Sequence, residues 1–338
     1  MSNLRWGILS TARIGKSVIK GIGLSNACCM QAVASREKSR AIEWAKEHGI
    51  PRAFGSYEEL LSSGEVDAIY NPLPNSMHAE WTIKALDAGL PVLCEKPFAV
   101  NADEARKIVK TARKKQLPVA EAFMYRYHPV YDRVRELVDQ GAIGELVTIR
   151  STFSFPLNDP ENIRMKPELA GGALMDVGCY CVNFSRMMAR CEPACATAFV
   201  RQGAVDKTTI ACLEFPNSLL AYFECSFETH TRMRAVLEGT GGTLILPSPW
   251  FPGEVRAEII LRHGDEEKRE YVAGANTYRL EVEDFVNACL THRPTRWPAE
   301  DAIANMAVID AICRSVKERG PVTVAGVQAG QPSGKARA

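Results

Sequence analysis

What this chain lacks removes several classes of function. It has no apolar run of membrane-spanning length, and its start, MSNLRWGILS, carries no basic segment leading into an apolar stretch and a small-residue cleavage site. A cytoplasmic protein is the expectation. Charge of one sign is missing too: 41 Lys and Arg face 40 Asp and Glu, so no net field draws the chain to nucleic acid or an anionic membrane. The 11 Cys include no Cys-x-x-Cys pair, and the six His are scattered. That spacing offers no metal site and predicts reduced core thiols. A locally recognised small molecule is left as the partner.

With 338 residues, 46% of them hydrophobic, the chain exceeds the usual span of one core and predicts two domains. Up to residue 124, short apolar runs (RWGILS, MQAVAS, VDAIYNPL, PVLCE, LPVAEAF) alternate with helical periodicity (ARIGKSVIKGIG, EKSRAIEWAKEHG, SMHAEWTIKALDAG, NADEARKIVKTARKKQ). This alternation predicts a doubly wound parallel sheet of Rossmann type. Gly23, Gly49 and Gly89 fall at expected helix C-caps, and Asn101 at an N-cap. From 125 to 325, after the helix YHPVYDRVRELVDQG, extended runs such as ELVTIRSTFSF, KTTIACLEF and SLLAYFECSFE predict an α+β domain with a large, open, mainly antiparallel sheet. Two helical segments, RLEVEDFVNACLTH and AEDAIANMAVIDAICRSVKERG, are expected to close that domain. Residues 326–338 lack large apolar side chains and read as a disordered tail. The fold class is therefore α/β.

A dinucleotide fingerprint G-x-G-x-x-G would fall on Ser10, Ala12 and Gly15, so two of its glycines are replaced by small residues. The turn Ser10, Thr11, Ala12, Arg13 and Ile14 can still bring backbone N–H groups to a pyrophosphate; an ordinary tight turn is the alternative. The second strand ends in Ser35-Arg36, with Arg40 one helical turn on and Arg13 in the turn itself. Hydroxyl and guanidinium suit a 2′-phosphate, which predicts NADP, with NAD as the alternative. Glu37 leaves two readings open, neutralising Arg36 or binding a ribose.

Charge at the end of a buried parallel strand marks a ligand crevice, and VLCEKPFAV places Glu95, Lys96 and Pro97 there. Next to it, NPLPNSMH offers Pro72, Leu73, Asn75 and His78, and EAFMYRYHP offers Arg126 and His128. In NIRMKPELAGGALMDVGCYCVNF, a Gly171-Gly172 pair precedes a helix on which Asp176, Tyr180, Asn183 and Met187 recur three and four residues apart, on one face.

On CEKP and GGALMDVGCY the chain closely resembles the glucose–fructose oxidoreductase/inositol dehydrogenase family, in the branch of dimeric dihydrodiol dehydrogenase and NADP-dependent pyranose dehydrogenases, over residues 4 to about 325. The resemblance implies Lys96 as the catalytic lysine, a cis peptide before Pro97, and Asp176 and Tyr180 completing the active site. It implies Glu95 on the nicotinamide ribose, Pro72, Leu73, Asn75, His78 and Arg164 at the cofactor, and Arg126 and His128 at the substrate. It also implies a homodimer or homotetramer formed through the C-terminal sheet. Two departures stand out: Tyr180 replaces the His of inositol dehydrogenase-like members, which disfavours an inositol substrate, and Ala170 occupies the place of a third glycine.

Hydride transfer from a hydroxyl-bearing carbon needs a base for the hydroxyl proton, and a phenol with pKa about 10 is scarcely ionised near neutrality unless an ammonium stands by. The expected reaction is oxidation of a carbohydrate or cyclic diol hydroxyl, with pyranose C1 (D-xylose or D-glucose) first, and Lys96 and Tyr180 as the proton-transfer pair. The alternatives are a ketosugar or dicarbonyl reductase using the same residues, and a non-catalytic NADP-binding sensor or co-repressor. Tyr180 can also be read as packing residue, and Trp250 and Phe251 either as a stacking wall for a sugar or as fillers of an apolar gap.

Overall fold

The computed structural model describes residues 3–326; the expected tail lies, but for its first residue, outside them. Two compact units emerge, one made of residues 3–128, 168–170 and 275–306, the other of 129–167, 171–274 and 307–326.

The first unit is built on six parallel strands: β1 (Leu4–Leu9), β2 (Cys28–Ala34), β3 (Arg52–Phe54), β4 (Ala68–Asn71), β5 (Val92–Glu95) and β6 (Val119–Ala122). Their order is β3-β2-β1-β4-β5-β6, the doubly wound arrangement whose strand ends face a nucleotide crevice. Helices α1 (Gly15–Gly23), α2 (Lys38–His48), α3 (Tyr57–Ser62), α4 (His78–Asp87) and α5 (Ala102–Lys115) connect them. β4, β5 and β6 are buried along their whole length, which explains their mainly apolar sequence. Asn101 caps α5 by accepting the Glu104 N–H at 2.9 Å. Gly49 is the left-handed cap of α2, with φ +65°, whereas Gly23 lies inside α1 and Gly89 one residue beyond the cap of α4.

The second unit contains α6 (Val130–Asp139), β7 (Leu146–Ser154), a π-helical turn (Leu174–Gly178) that runs into α7 (Cys179–Ala189), and then β8 (Cys195–Gln202), β9 (Asp206–Glu214), β10 (Leu220–Ser226), β11 (Arg232–Gly239), β12 (Thr243–Leu246), β13 (Arg256–His263) and β14 (Glu266–Ala273). Two further helices, α8 (Thr277–Thr291) and α9 (Ala299–Glu318), precede a short β15 (Val322–Thr323). The nine strands are ordered β14-β13-β12-β11-β7-β10-β9-β8-β15 and pair antiparallel except for β7 with β10. Along β8–β10 the burial alternates: Ala196, Ala198, Ala211, Leu213, Ala221 and Phe223 face inward, while Phe199, Ile210, Leu220 and Tyr222 are exposed.

One expectation is corrected. The helix α8 does not close the second sheet; Val282, Phe285 and Val286 pack into the core of the parallel sheet with Trp6, Tyr70 and Leu93, and the Trp6 and Phe285 rings stand 5.3 Å apart. Chain order misleads here because an amphipathic helix goes where an uncovered apolar face exists, whatever its distance in sequence.

Candidate functional site

The nucleotide turn starts with strain. Ser10 has φ +94°, a conformation that side chains other than glycine rarely adopt and that concentrates at functional turns. Its Oγ accepts the Ala12 N–H at 3.2 Å. Gly15 fills the third fingerprint role: a Cβ there would lie 2.7 Å from Ile8 Cδ1, so its absence lets α1 approach β1 closely. Ser35 is buried and its Oγ accepts the Glu37 N–H at 3.3 Å. Arg13, Arg36 and Arg40 are exposed, and among the described residues none is paired with a carboxylate, Glu37 included. Three cations without a counter-charge, beside a strained turn and Ser35, fit a dinucleotide bearing an extra phosphate.

At the exit of β5, Glu95 receives the Tyr70 hydroxyl on Oε1 at 2.6 Å and the Lys96 N–H on Oε2 at 3.3 Å. The Lys96–Pro97 peptide is cis, and Lys96 itself is half-buried. His78 is buried, its ring nitrogens 2.8 Å from Pro97 O and 2.7 Å from Leu73 O, so it ties the turn after β4 to the turn after β5. Burial lowers its pKa to about 4. Asn71, which the sequence reading passed over, donates to His78 O and Thr82 Oγ1 and accepts the Leu73 N–H. Asn75 donates to Ala170 O at 2.8 Å, and Ala170 itself has φ +54°. Pro72 and Leu73 are buried beneath this turn.

A second carboxyl belongs to this cluster. Glu281 of α8 is 1% exposed, and neither of its oxygens has a hydrogen-bond partner among the described residues. Burial first, then the charge of Glu95, raise its pKa well above the usual carboxyl range, with Arg126 opposing. Its surroundings therefore favour the neutral acid over the carboxylate. Nothing in its sequence context signalled this, since a Glu in an amphipathic helix is ordinarily solvated.

Arg126 and His128, the candidate substrate contacts, are buried, at 2% and 0% exposure. Arg126 forms an ion pair with Asp301 and lies 4.8 Å from the Trp297 ring centroid and 5.2 Å from that of Phe123. Such an enclosed guanidinium braces the turn Met124–Tyr127.

In the second unit, Gly172 has φ +115°, and a Cβ on it would sit 1.9 Å from Asp206 Oδ1. The wide π-helical turn that follows shifts Asp176 relative to the α-helical face read from spacing, and Asp176 and Tyr180 sit at 8% and 6% exposure. Asp176 Oδ2 accepts from Arg164 Nε at 2.7 Å. Arg164, expected at the cofactor, thus holds the carboxylate expected to complete the active site. The Tyr180 ring stands between Phe153 (5.4 Å) and Trp250 (5.7 Å). Trp250 is fully buried, stacks on Phe153 and donates Nε1–H to Thr152 O at 3.1 Å; it fills the core, while Phe251 is 48% exposed. Asn183 and Met187 are buried. Lys96 belongs to the first unit and Asp176, Tyr180 and Arg164 to the second.

Strand order, a small-residue turn entering α1, and a charged exit from the central strand β5 define a dinucleotide-binding oxidoreductase. Comparison with known proteins agrees. Residues 4–123 match the model of the oxidoreductase family with NAD-binding Rossmann fold, and residues 131–245 match the GFO/IDH/MocA C-terminal domain. The chain is 38% identical to D-xylose 1-dehydrogenase (NADP(+)) 2 of Haloferax volcanii over 93% of this chain and 98% of that protein. It is 35% identical to human trans-1,2-dihydrobenzene-1,2-diol dehydrogenase over 75% and 77% of the two chains. Among solved structures, the 3-ketoreductase KijD10 of Actinomadura kijaniata, in complex with NADP and TDP-benzene, matches with a TM-score of 0.90 at 25% identity, covering 93% of this chain and 98% of its own. The chain belongs to the GFO/IDH/MocA oxidoreductase family. Among the described residues no helix is long and apolar enough to cross a membrane.

Proposed function

We propose that this enzyme is an NADP-dependent dehydrogenase of carbohydrate hydroxyls, oxidising C1 of a pyranose such as D-xylose or D-glucose. The observation that carries the reading is Lys96 directly after β5 together with Asp176 in the π-helical turn and Tyr180 at the start of α7, in a chain 38% identical to a D-xylose dehydrogenase along nearly all of that protein. Arg13, Arg36 and Arg40, free of carboxylates among the described residues, support NADP as the cofactor, with Ser10, Thr11, Ala12 and Ile14 cradling its pyrophosphate and Ser35 beside its 2′-phosphate.

When bound, the nicotinamide supplies the hydride acceptor. Tyr180 takes the hydroxyl proton, and the Lys96 ammonium favours the tyrosinate and steadies the substrate oxygen. Asp176, fixed by Arg164, orients a substrate hydroxyl. Glu95 holds the nicotinamide ribose, and Pro72, Leu73, Asn75 and His78 shape the turn against the cofactor. Residues 1–124, covered by α8, serve the cofactor, and the rest of residues 125–325 serve the substrate and the subunit contact.

The exposed stripe of Phe199, Ile210, Leu220 and Tyr222 on β8–β10 supports a homodimer or homotetramer through this sheet, since an uncovered apolar sheet face is a liability in a monomer. All eleven cysteines are free thiols, which supports the cytoplasm.

One observation favours a second reading, reduction of a ketosugar or dicarbonyl: the close fold match to a 3-ketoreductase, which was also solved with a tyrosine replaced by phenylalanine. Nicotinamide absorbance separates the two, using NADP or NAD with a panel of aldoses and cyclic diols and NADPH with ketosugars. Turnover of an aldose with NADP, reduced by roughly two orders of magnitude in Tyr180→Phe and in Lys96→Ala, is the expected result. Turnover of ketosugars alone establishes the reductase, and near-normal rates in Tyr180→Phe overturn the proton-transfer assignment.

A further inference from the structure

The start of the helix that carries Asp176 and Tyr180 is not capped from its own strand of chain. Its first N–H groups are met by a carboxylate from β9. Asp206 Oδ2 accepts the Leu174 N–H at 2.7 Å and the Thr209 hydroxyl at 3.0 Å, and the Ala173 N–H also donates to this carboxylate. The backbone has been shaped to let Asp206 in: only a glycine at 172 leaves room for Oδ1. The preceding loop is pinned as well, by the Gly172 N–H on Arg164 O at 2.8 Å and the Gly171 N–H on Lys166 O at 3.1 Å. Arg164 in turn holds Asp176. Asp206 thus lies two residues from Asp176 through Leu174, and fixes the register of the π-helical turn on which Asp176 and then Tyr180 depend.

We propose that Asp206 is a positioning residue of this enzyme: its ionised carboxylate anchors the first turn of the helix bearing Asp176 and Tyr180, and turnover requires that anchor. The inference rests on the reading that Tyr180 and Asp176 act on the substrate. The carboxylate is the acceptor of three donors, and protonation converts one of its acceptor sites into a donor that faces backbone N–H groups. Burial raises its pKa to about 6, against the pull of the Leu174 N–H and the Thr209 hydroxyl. The other titratable groups facing it are the thiols of Cys225 on β10 and Cys313 on α9; both are pushed up by burial and stay protonated near neutrality. Asp206 is therefore the group of this cluster that changes charge on the acid side of neutral pH.

Two variants test the proposal on the full chain with NADP and its aldose: Asp206→Asn and Thr209→Val. In Asp206→Asn, NADPH affinity should stay within about twofold of the parent while turnover falls roughly tenfold or more, as displaced reacting groups produce, and the acid limb of the rate profile should flatten. Thr209→Val removes one donor to the ionised form, so activity should be lost at a pH about one unit higher on the acid side, with the plateau rate near pH 8 retained. An unchanged acid limb in Thr209→Val, or parental turnover in Asp206→Asn, overturns the proposal. Where Asp206→Asn fails to fold, Thr209→Val alone decides. Tyr180→Phe run in parallel separates the failures: if it too retains turnover, the reading of the site has failed, whereas an inactive Tyr180→Phe beside an unaffected Asp206→Asn condemns only the positioning role.

Discussion

Tyr70 donates its phenolic hydrogen to Glu95 across 2.6 Å, wholly inside the protein. A tyrosine in the middle of a parallel strand and a carboxylate at the end of the next strand thus form one buried unit, and each explains the other's burial. Tyr70→Phe takes away a donor to a buried charged group, so unfolding stability should fall by about 1–3 kcal/mol. Urea denaturation followed by tryptophan fluorescence reads this directly. An unchanged midpoint would mean that Glu95 is held by its other contacts alone.

Glu281 makes a prediction of opposite sign. Its folded pKa lies above its unfolded value, so its contribution to stability is fully present below the unfolded pKa, near 4.5, and is lost as pH rises towards the folded one. Glu281→Gln keeps the shape and neutrality of the protonated acid and should remove this loss. Between pH 5 and 8 the variant's melting temperature should decline less than the parent's, and at pH 8 it should exceed the parent's by about 2–4 °C, the shift that roughly 1 kcal/mol produces in domains of this size. A lower melting temperature at pH 8 would show that an ionised Glu281 is being used, with Arg126 as its counter-charge.

The cationic end of β2 sets cofactor preference. Arg36→Ala should weaken NADP binding about ten- to a hundredfold, the worth of a charge-assisted pair, and leave NAD binding within about twofold. Fluorescence titration with both reduced cofactors, repeated at raised salt, checks it. Equal losses for the two cofactors would move Arg36 away from a phosphate role.

Ala170 holds a glycine's conformation, with φ +54°. Since a left-handed alanine is strained, Ala170→Gly should be neutral or stabilise the fold by up to about 1 kcal/mol, the entropy of the unfolded glycine taking back part of the relief. Thermal unfolding decides, and a clear destabilisation would mean that the methyl group packs usefully.

Much of the parallel sheet could be read from sequence because fully buried strands leave short, mainly apolar runs. β3 and α3 could not, being three and six residues long, too short for a period to register. A signal was nevertheless present: Ser56 and Glu59 form a capping pair, Ser56 Oγ taking the Glu59 N–H at 3.1 Å and Glu59 taking the Gly55 N–H at 3.0 Å. Motif reading singled out Glu95, Lys96, Asp176 and Tyr180, but not their supports. Asn71, Asp206 and Glu281 owe their roles to burial against elements far away in sequence, and the pairing of Arg164 with Asp176 needs a loop geometry that spacing does not encode. The ion pair of Arg126 was hidden for the same reason, because its partner Asp301 follows 175 residues later.

The seat of α8 on the parallel sheet bears on how this protein is made. Synthesis passes through β1 to β6 and then through most of the second sheet before residues 277–291 exist to cover Trp6, Tyr70 and Leu93. The nucleotide-binding unit therefore waits, one flank bare, while its neighbour is still being translated, and a nascent chain halted before α8 exposes an apolar sheet to whatever meets it. For the same reason, a gene cut after residue 124 would encode a cofactor domain without its lid, and the last piece of that domain lies where a reader of the sequence would look for the end of the other.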